Sequence, residues 1–253
     1  MKNEKDLLSK LFSYKNIRLL IGKKLRKFYK KYLKLKSHVS DKIITDPFQV
    51  VYIPTNLIQY KLENKNKRFL KVLHTRMVGH IKLGNWDINK ELFDFPIKPF
   101  KERFIQKKGW EETEYYDLFL NEKNKTFRVY KSWEDFKKNC LEQWEKIYKS
   151  IKKEGYKSQK ELKNKKYYCT RKINVTGYPE NEIEVAISRS GEILFIDGRH
   201  RLAIAKILKI KKIPVIVNIW HKEYIDSIKN SLGPKEITPK NAIKPILDKK
   251  VKF

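Results

Sequence analysis

The run IDGRHRLAIAKIL, Ile196 to Leu208, sets Arg199, His200 and Arg201 directly ahead of an apolar helical segment. Its surroundings limit what the chain can become. Glu184–Ser188 and Glu192–Ile196 are short β-prone runs joined across Arg189-Ser190-Gly191, a glycine-containing hairpin signal. Asp197-Gly198 breaks the second run, and Leu202, Ala203, Ile204, Ala205, Ile207 and Leu208 supply the helix. Ile213–Val217 then returns to β character. Hairpin, helix and strand in that order predict an α+β fold, a small mixed sheet with packed helices. Cations in a first helical turn oppose the helix dipole and cost stability. A bound anion, held by the free N–H groups of that turn together with the side chains, is the simplest compensation.

The remaining chain supplies helices and at least one more strand. Ser132–Glu154 carries Phe136, Cys140, Leu141, Trp144, Ile147, Tyr148 and Ile151 at helical spacing, opens on Ser132 with Asp135 in a capping-box arrangement, and stops at Gly155. Phe100–Lys107 reads as a helix ended by Gly109, Phe48–Ile53 as a strand, and His221–Leu232 as another helix. Ser158 is placed to cap a short helix. Residues 163–182 read as a long polar connection. These elements define a domain over 45–232, with a basic helical extension at 1–40 and a basic tail at 233–253 that has little to bury. Leu7, Leu11, Leu20 and Phe28 lie among lysines in residues 3–36, which fits a helix on an anionic membrane surface or one packed on protein.

A formal charge of +30 invites a nucleic-acid partner, but only ten of the 59 basic residues are arginine. Isoleucine and asparagine are plentiful too, the pattern of AT-rich coding, so lysine bias supplies much of the charge without a polyanion. The charge favours anionic ligands and does not name one. No apolar run reaches the roughly 18 residues of a membrane span, and the opening MKNEKDLLSK has no secretory pattern. Cys140 and Cys169 have no metal-like spacing and are expected as free thiols in a cytoplasmic protein.

Two further segments hold candidate carboxylates. Gly84–Ile88 (GNWDI) sets Asp87 beside Trp86, either as a site acid or as a turn cap. Trp110–Phe119 (WEETEYYDLF) brings Glu111, Glu112 and Glu114 together, which suits Mg²⁺ or a general base and equally a solvated first helical turn.

Tyr148–Gln159 (YKSIKKEGYKSQ) and Ile193–Val217 (ILFIDGRHRLAIAKILKIKKIPVIV) together resemble the ParB/sulfiredoxin superfamily, over a core box of 147–220. The resemblance implies a ParB/sulfiredoxin-like core with helical N-terminal additions. It also implies that Asp197, Gly198, Arg199, His200 and Arg201, with Ser158 and Gln159, hold the phosphates of ATP, ADP or CTP, with Mg²⁺. His200 matches the sulfiredoxin histidine, and Arg201 the arginine that both branches share.

Departures from the family narrow the activity. Arg199 stands where sulfiredoxins carry their cysteine, which argues against sulfinic-acid reduction. Only 33 residues follow Trp220, too few for the helix-turn-helix and dimerisation domains of chromosome partitioning. A branch of free-amino-acid kinases remains compatible. The expected function is therefore a small-molecule phosphotransferase or NTP hydrolase, with Asp87, Glu112 or Glu114 as the carboxylate that deprotonates an acceptor or holds the metal. A ParB-like DNA-binding protein or nuclease and a membrane-surface adaptor are the alternatives. Arg201→Ala is expected to abolish nucleotide binding and leave the fold intact.

Overall fold

The computed structural model describes residues 44, 46, 49–62, 79–121, 127, 130–162, 182–232 and 237–249. The fold is α+β, built on one mixed sheet of seven strands: β1 (Val51–Pro54), β2 (Tyr60–Leu62), β3 (His80–Lys82), β4 (Lys90–Leu92), β5 (Ile183–Ile187), β6 (Ile193–Asp197) and β7 (Lys212–His221). Their order is β1-β7-β5-β6-β2-β4, and β3 joins the sheet through β7. The predicted hairpin is present, β5 running antiparallel to β6 from Glu184 opposite Asp197 to Ile187 opposite Ile193. Strand β7 lies parallel to β5 on one side and carries β1 and β3 on the other, antiparallel and parallel respectively.

Helices follow as α1 (Ile97–Phe104), α2 (Glu114–Leu120), α3 (Trp133–Phe136), α4 (Glu142–Glu154), α5 (Gln159–Leu162), α6 (Arg199–Ile207), α7 (Lys222–Leu232) and α8 (Pro239–Lys249). A π turn, Lys137–Leu141, links α3 to α4. Ser132 Oγ accepts the Asp135 N–H at 3.2 Å, and the helix ends at Gly155, as expected.

Side chains alternate across the sheet with the period of a strand. Ile183, Val185, Ile187, Ile193 and Phe195 enter one large core with Trp144, Ile147, Leu202 and Ile204. Ala186 and Leu194, one step out of phase, join a smaller cluster with Leu62, Trp86 and Ile219. At the hairpin turn Gly191 has φ +85°, and a Cβ there would meet the Tyr224 ring at 3.2 Å, so both backbone and packing require glycine.

Three expectations change. The C-terminal segment is not a bare tail: Ile237, Ala242, Ile243 and Ile246 are buried in the main core, and Tyr224 Oη donates to the Ala242 carbonyl at 2.6 Å. The 242, 243, 246 spacing is that of one helical face, which the surrounding lysines obscure in the sequence. Cys140 is disulfide-bonded instead of a free thiol, and Cys169 lies outside the described residues. The helix expected over Phe100–Lys107 sits three residues earlier, and Lys107 adopts φ +63°. The basic segment 3–36 also lies outside the described residues. Among the described residues no helix is long and apolar enough to cross a membrane.

Candidate functional site

The start of α6 is positioned by Gly198. Its φ is +92°, and a Cβ would come within 3.0 Å of Ile183 Cγ1 and 3.2 Å of Ile183 Cα. The chain therefore turns tightly off β6 and lays the first turn of α6 against the start of β5. Asp197 Oδ1 accepts the Gly198 N–H at 2.7 Å, and no side chain caps the helix. Leu202 N–H is the first amide to close an intrahelical bond, to the Gly198 carbonyl at 3.1 Å. The N–H groups of Arg199, His200 and Arg201 precede it and have no intrahelical acceptor.

Arg201 reaches inward. Only 13% of its side chain is exposed, and Nη1 stands 3.9 Å from Glu182 Oε2. Glu182 Oε1 in turn accepts the Gln159 N–H at 2.6 Å. One buried carboxylate thus ties the Tyr148–Gln159 stretch to the α6 start. Ser158 and Glu161 form a reciprocal cap: Ser158 N–H donates to Glu161 Oε2 at 2.7 Å, and Glu161 N–H to Ser158 Oγ at 3.2 Å. Both Ser158 and Gln159 are buried.

Arg201, Tyr156 and Gln159 line a cavity of about 30 Å³ beside α4. That is room for a water or two; the bulk of any nucleotide would lie outside it. Arg201 Nη1 and Tyr156 Oη are both buried and have no hydrogen-bond partner. Burial pushes the Tyr156 phenol up to about 12 although the nearby Arg201 guanidinium pulls it down.

Glu184 completes this end of the sheet. Its carboxylate accepts from Asn218 Nδ2 at 2.5 Å. Burial, reinforced by the charge of Asp197, raises its pKa to about 7 against the pull of Asn218 and Arg201. Some of the residue's surface stays accessible, so the group is enclosed at its carboxylate and not sealed. A carboxyl that titrates near neutrality suits proton transfer.

Arg199 and His200 do not line that cavity. Arg199 is exposed, near enough to the buried Tyr115 for its charge to act on that phenol. The His200 ring stacks on Trp144 with centroids 3.9 Å apart and sits 5.9 Å from Phe100. Its imidazole is therefore part of the aromatic core.

The three proposed carboxylates each have partners of their own. Asp87 is buried at the far end of β5, where it accepts from Arg189 N–H at 2.8 Å and Nη2 at 2.9 Å. Roughly 16 Å of extended chain separates Arg189 from Glu184. His221 closes that second network: Nε2 lies 2.9 Å from the Gly84 carbonyl, and Nδ1 accepts the Glu223 N–H at 3.2 Å. These contacts assign the neutral Nε2–H tautomer and leave His221 satisfied in a structural role. Glu112 caps the 3-10 turn Trp110–Glu112, accepting the Gly109 N–H at 2.6 Å. Glu114 pairs with Lys98 at 3.8 Å. Asp87 and Glu112 are held by hydrogen bonds and Glu114 by an ion pair, each to residues outside the α6 start.

Glu182, Glu184 and Tyr156 are the residues that sequence reasoning missed. Only Glu184 left a signal there, a carboxylate inside an otherwise apolar strand. Among the described residues no three acids, histidines or cysteines form a metal cluster. A nucleotide-borne Mg²⁺ asks for only one or two carboxylates beside the phosphates, and the exposed Asp197 is the one placed to supply it.

The chain matches no family model, no curated protein and no solved structure.

Proposed function

We propose that this is a ParB/sulfiredoxin-like nucleotide-binding protein that transfers or hydrolyses the terminal phosphoryl group of ATP, ADP or CTP. One observation carries the reading: Arg201, largely buried and with a guanidinium Nη1 that has an ion-pair neighbour but no hydrogen bond, sits at an uncapped helix start and lines a small cavity with a tyrosine hydroxyl that also has no hydrogen bond. Buried donors without acceptors cost about 1–3 kcal/mol each, and phosphate oxygens at a helix N-terminus would satisfy them.

The α6 amides and Arg201 bind phosphate oxygens, and exposed Arg199 adds a second guanidinium over the outer phosphate. Ser158 and Gln159 shape the wall through Glu182. Mg²⁺, when it arrives with the nucleotide, would neutralise phosphate charge. Glu184 replaces Asp87, Glu112 and Glu114 as the proton acceptor. It takes the proton of an acceptor hydroxyl or water as that oxygen bonds to the terminal phosphorus and the bond to the bridging oxygen breaks.

Calorimetric titration with ATP, ADP and CTP, with and without MgCl₂, tests the proposal. Arg199→Ala removes an exposed guanidinium, and Arg201→Lys keeps the charge opposite Glu182 but loses the planar fork. Each variant is expected to weaken binding at least tenfold with an unchanged melting temperature. Affinities equal to wild type, or no nucleotide binding by wild type, overturn the reading. Steeply salt-dependent DNA binding without a nucleotide response would instead mark a nucleic-acid protein.

A further inference from the structure

A second concavity lies on the opposite flank of α6. Gln59, Phe93, Ile97, Lys101 and Lys206 bound a cleft of about 560 Å³ between the β2–β4 edge and α1. That volume is within the ~300–1,000 Å³ range of small-molecule sites. Short hydrogen bonds fix its walls: Phe93 N–H donates to the Gln59 carbonyl at 2.8 Å, and Ile97 N–H to the Asp94 carbonyl at 2.7 Å.

Its charges are unequal in their freedom. Asp94 Oδ1 accepts the Phe95 N–H at 2.6 Å, and Glu102 Oε2 accepts the Glu114 N–H at 3.0 Å. Lys98 is paired with Glu114. Lys206 is half-buried, has no carboxylate within ion-pair distance among the described residues, and lies 6.0 Å over the Phe93 ring. Burial lowers the pKa of its ammonium. Lys101 on the facing helix is exposed and likewise has no carboxylate partner among the described residues. Apolar surface adjoins this charge: Phe93 forms the floor, and Leu92, 61% exposed, stands at the mouth.

We infer that the cleft binds a small amphipathic anion, its carboxylate or phosphate head against Lys206 and Lys101 and its apolar body along Phe93, Ile97 and Leu92. A half-buried cation without a counter-charge destabilises the empty fold, and an anionic guest would supply the missing partner. The inference does not rest on the nucleotide reading, because no residue of the α6 start takes part in it. Lys206 is nevertheless seven residues from Arg199, on the same face of α6 and roughly 10 Å along it. A guest in the cleft would lie within reach of a phosphate bound at the helix start.

The test is displacement of 1-anilinonaphthalene-8-sulfonate, followed by fluorescence in 0.3 M NaCl so that the overall positive charge is screened. Octanoate and octyl phosphate should displace the probe, separating carboxylate from phosphate heads. Octanol and octylamine should not, nor should acetate or inorganic phosphate, which lack the apolar body. Lys206→Met should weaken octanoate at least tenfold and leave the melting temperature equal or higher. Lys138→Met, which removes an exposed lysine far from the cleft, should change nothing. Should Lys206→Met misfold, Leu92→Glu places a repelling charge at the mouth without touching the core, and it should abolish displacement. Equal octanoate affinity in wild type, Lys206→Met and Leu92→Glu overturns the inference, as does equal displacement by octanol.

Discussion

Arg201 Nη1 stands 3.9 Å from Glu182 Oε2, and the two side chains keep only 13% and 0% of their surfaces in solvent. The arginine therefore has two duties, as the counter-charge of a buried acid and as the inward wall of the phosphate cradle.

Arg201→Ala should consequently not be a silent probe of binding, contrary to the expectation from sequence. Removing one partner of a buried ion pair costs about 3–5 kcal/mol, because the other charge is left without compensation. Urea melts should show a loss of that size, and Arg201→Ala with Glu182→Gln should recover part of it. A single variant as stable as wild type would mean that Glu182 is protonated or hydrated in the folded state.

Glu184 gives the molecule a pH dependence of definite sign. Its folded pKa is raised from 4.5 to about 7. The folded state thus holds this proton more tightly than the unfolded chain. The stability this group contributes is present below pH 4.5 and is lost as pH rises through 7. The full shift corresponds to at most about 3 kcal/mol. Glu184→Gln keeps an acceptor for Asn218 and should be more stable than wild type at pH 8, with the difference vanishing near pH 4. If the proposed function holds, it should also slow turnover by about 10²-fold or more.

Asp87 titrates in the other direction. Burial alone would raise its carboxyl, but hydrogen bonds from the Arg189 side chain and N–H outweigh it and hold the pKa below the usual carboxylate value. Its stabilisation is present above pH 3.8 and is lost as pH falls through the folded value. Asp87→Asn should cost about 1.5–3 kcal/mol at pH 7 and should flatten the acid limb of the stability profile. Nucleotide affinity per folded molecule should not change, since the network lies at the far end of β5. A lower affinity at equal foldedness would return Asp87 to the site.

Cys140 should not react with thiol reagents until a reductant is added. Dithiothreitol should then lower the melting temperature, by an amount equivalent to roughly 2–4 kcal/mol for a structural disulfide. Thiol titration before and after reduction, paired with calorimetry, checks both statements.

The hairpin, α6, β7 and α4 are all legible in the sequence, the strands and α6 as short apolar runs and α4 by its one buried face. Gly198 was legible too, as the break between β6 and α6. The far-field partners were not. Nothing local joins Asp87 to Arg189, 102 positions away, or Gln159 to Glu182, 23 positions away. His200 reads as a ligand from its place in the first helical turn and its resemblance to the sulfiredoxin histidine, and only the fold reveals Trp144 stacked beneath it. Helix α8 was hidden by its lysines and by Pro245, although its buried positions keep helical spacing. Sequence periodicity reports the face an element buries; it is silent on which distant charge a buried charge will meet.

Strand β7 has one further consequence, for how the molecule comes apart. Val215 to Trp220 bond to β5 along one edge, while the other edge is divided between β1 at its start and β3 at its end, with the Asn218 carbonyl held by Gly79 N–H at 3.0 Å between them. No partner can leave and expose the whole strand. Fraying of β1 uncovers one half and fraying of β3 the other, while β5 retains both. Amides in the middle of β7 should therefore exchange with solvent only when the entire sheet opens, and they set the slowest clock in the protein.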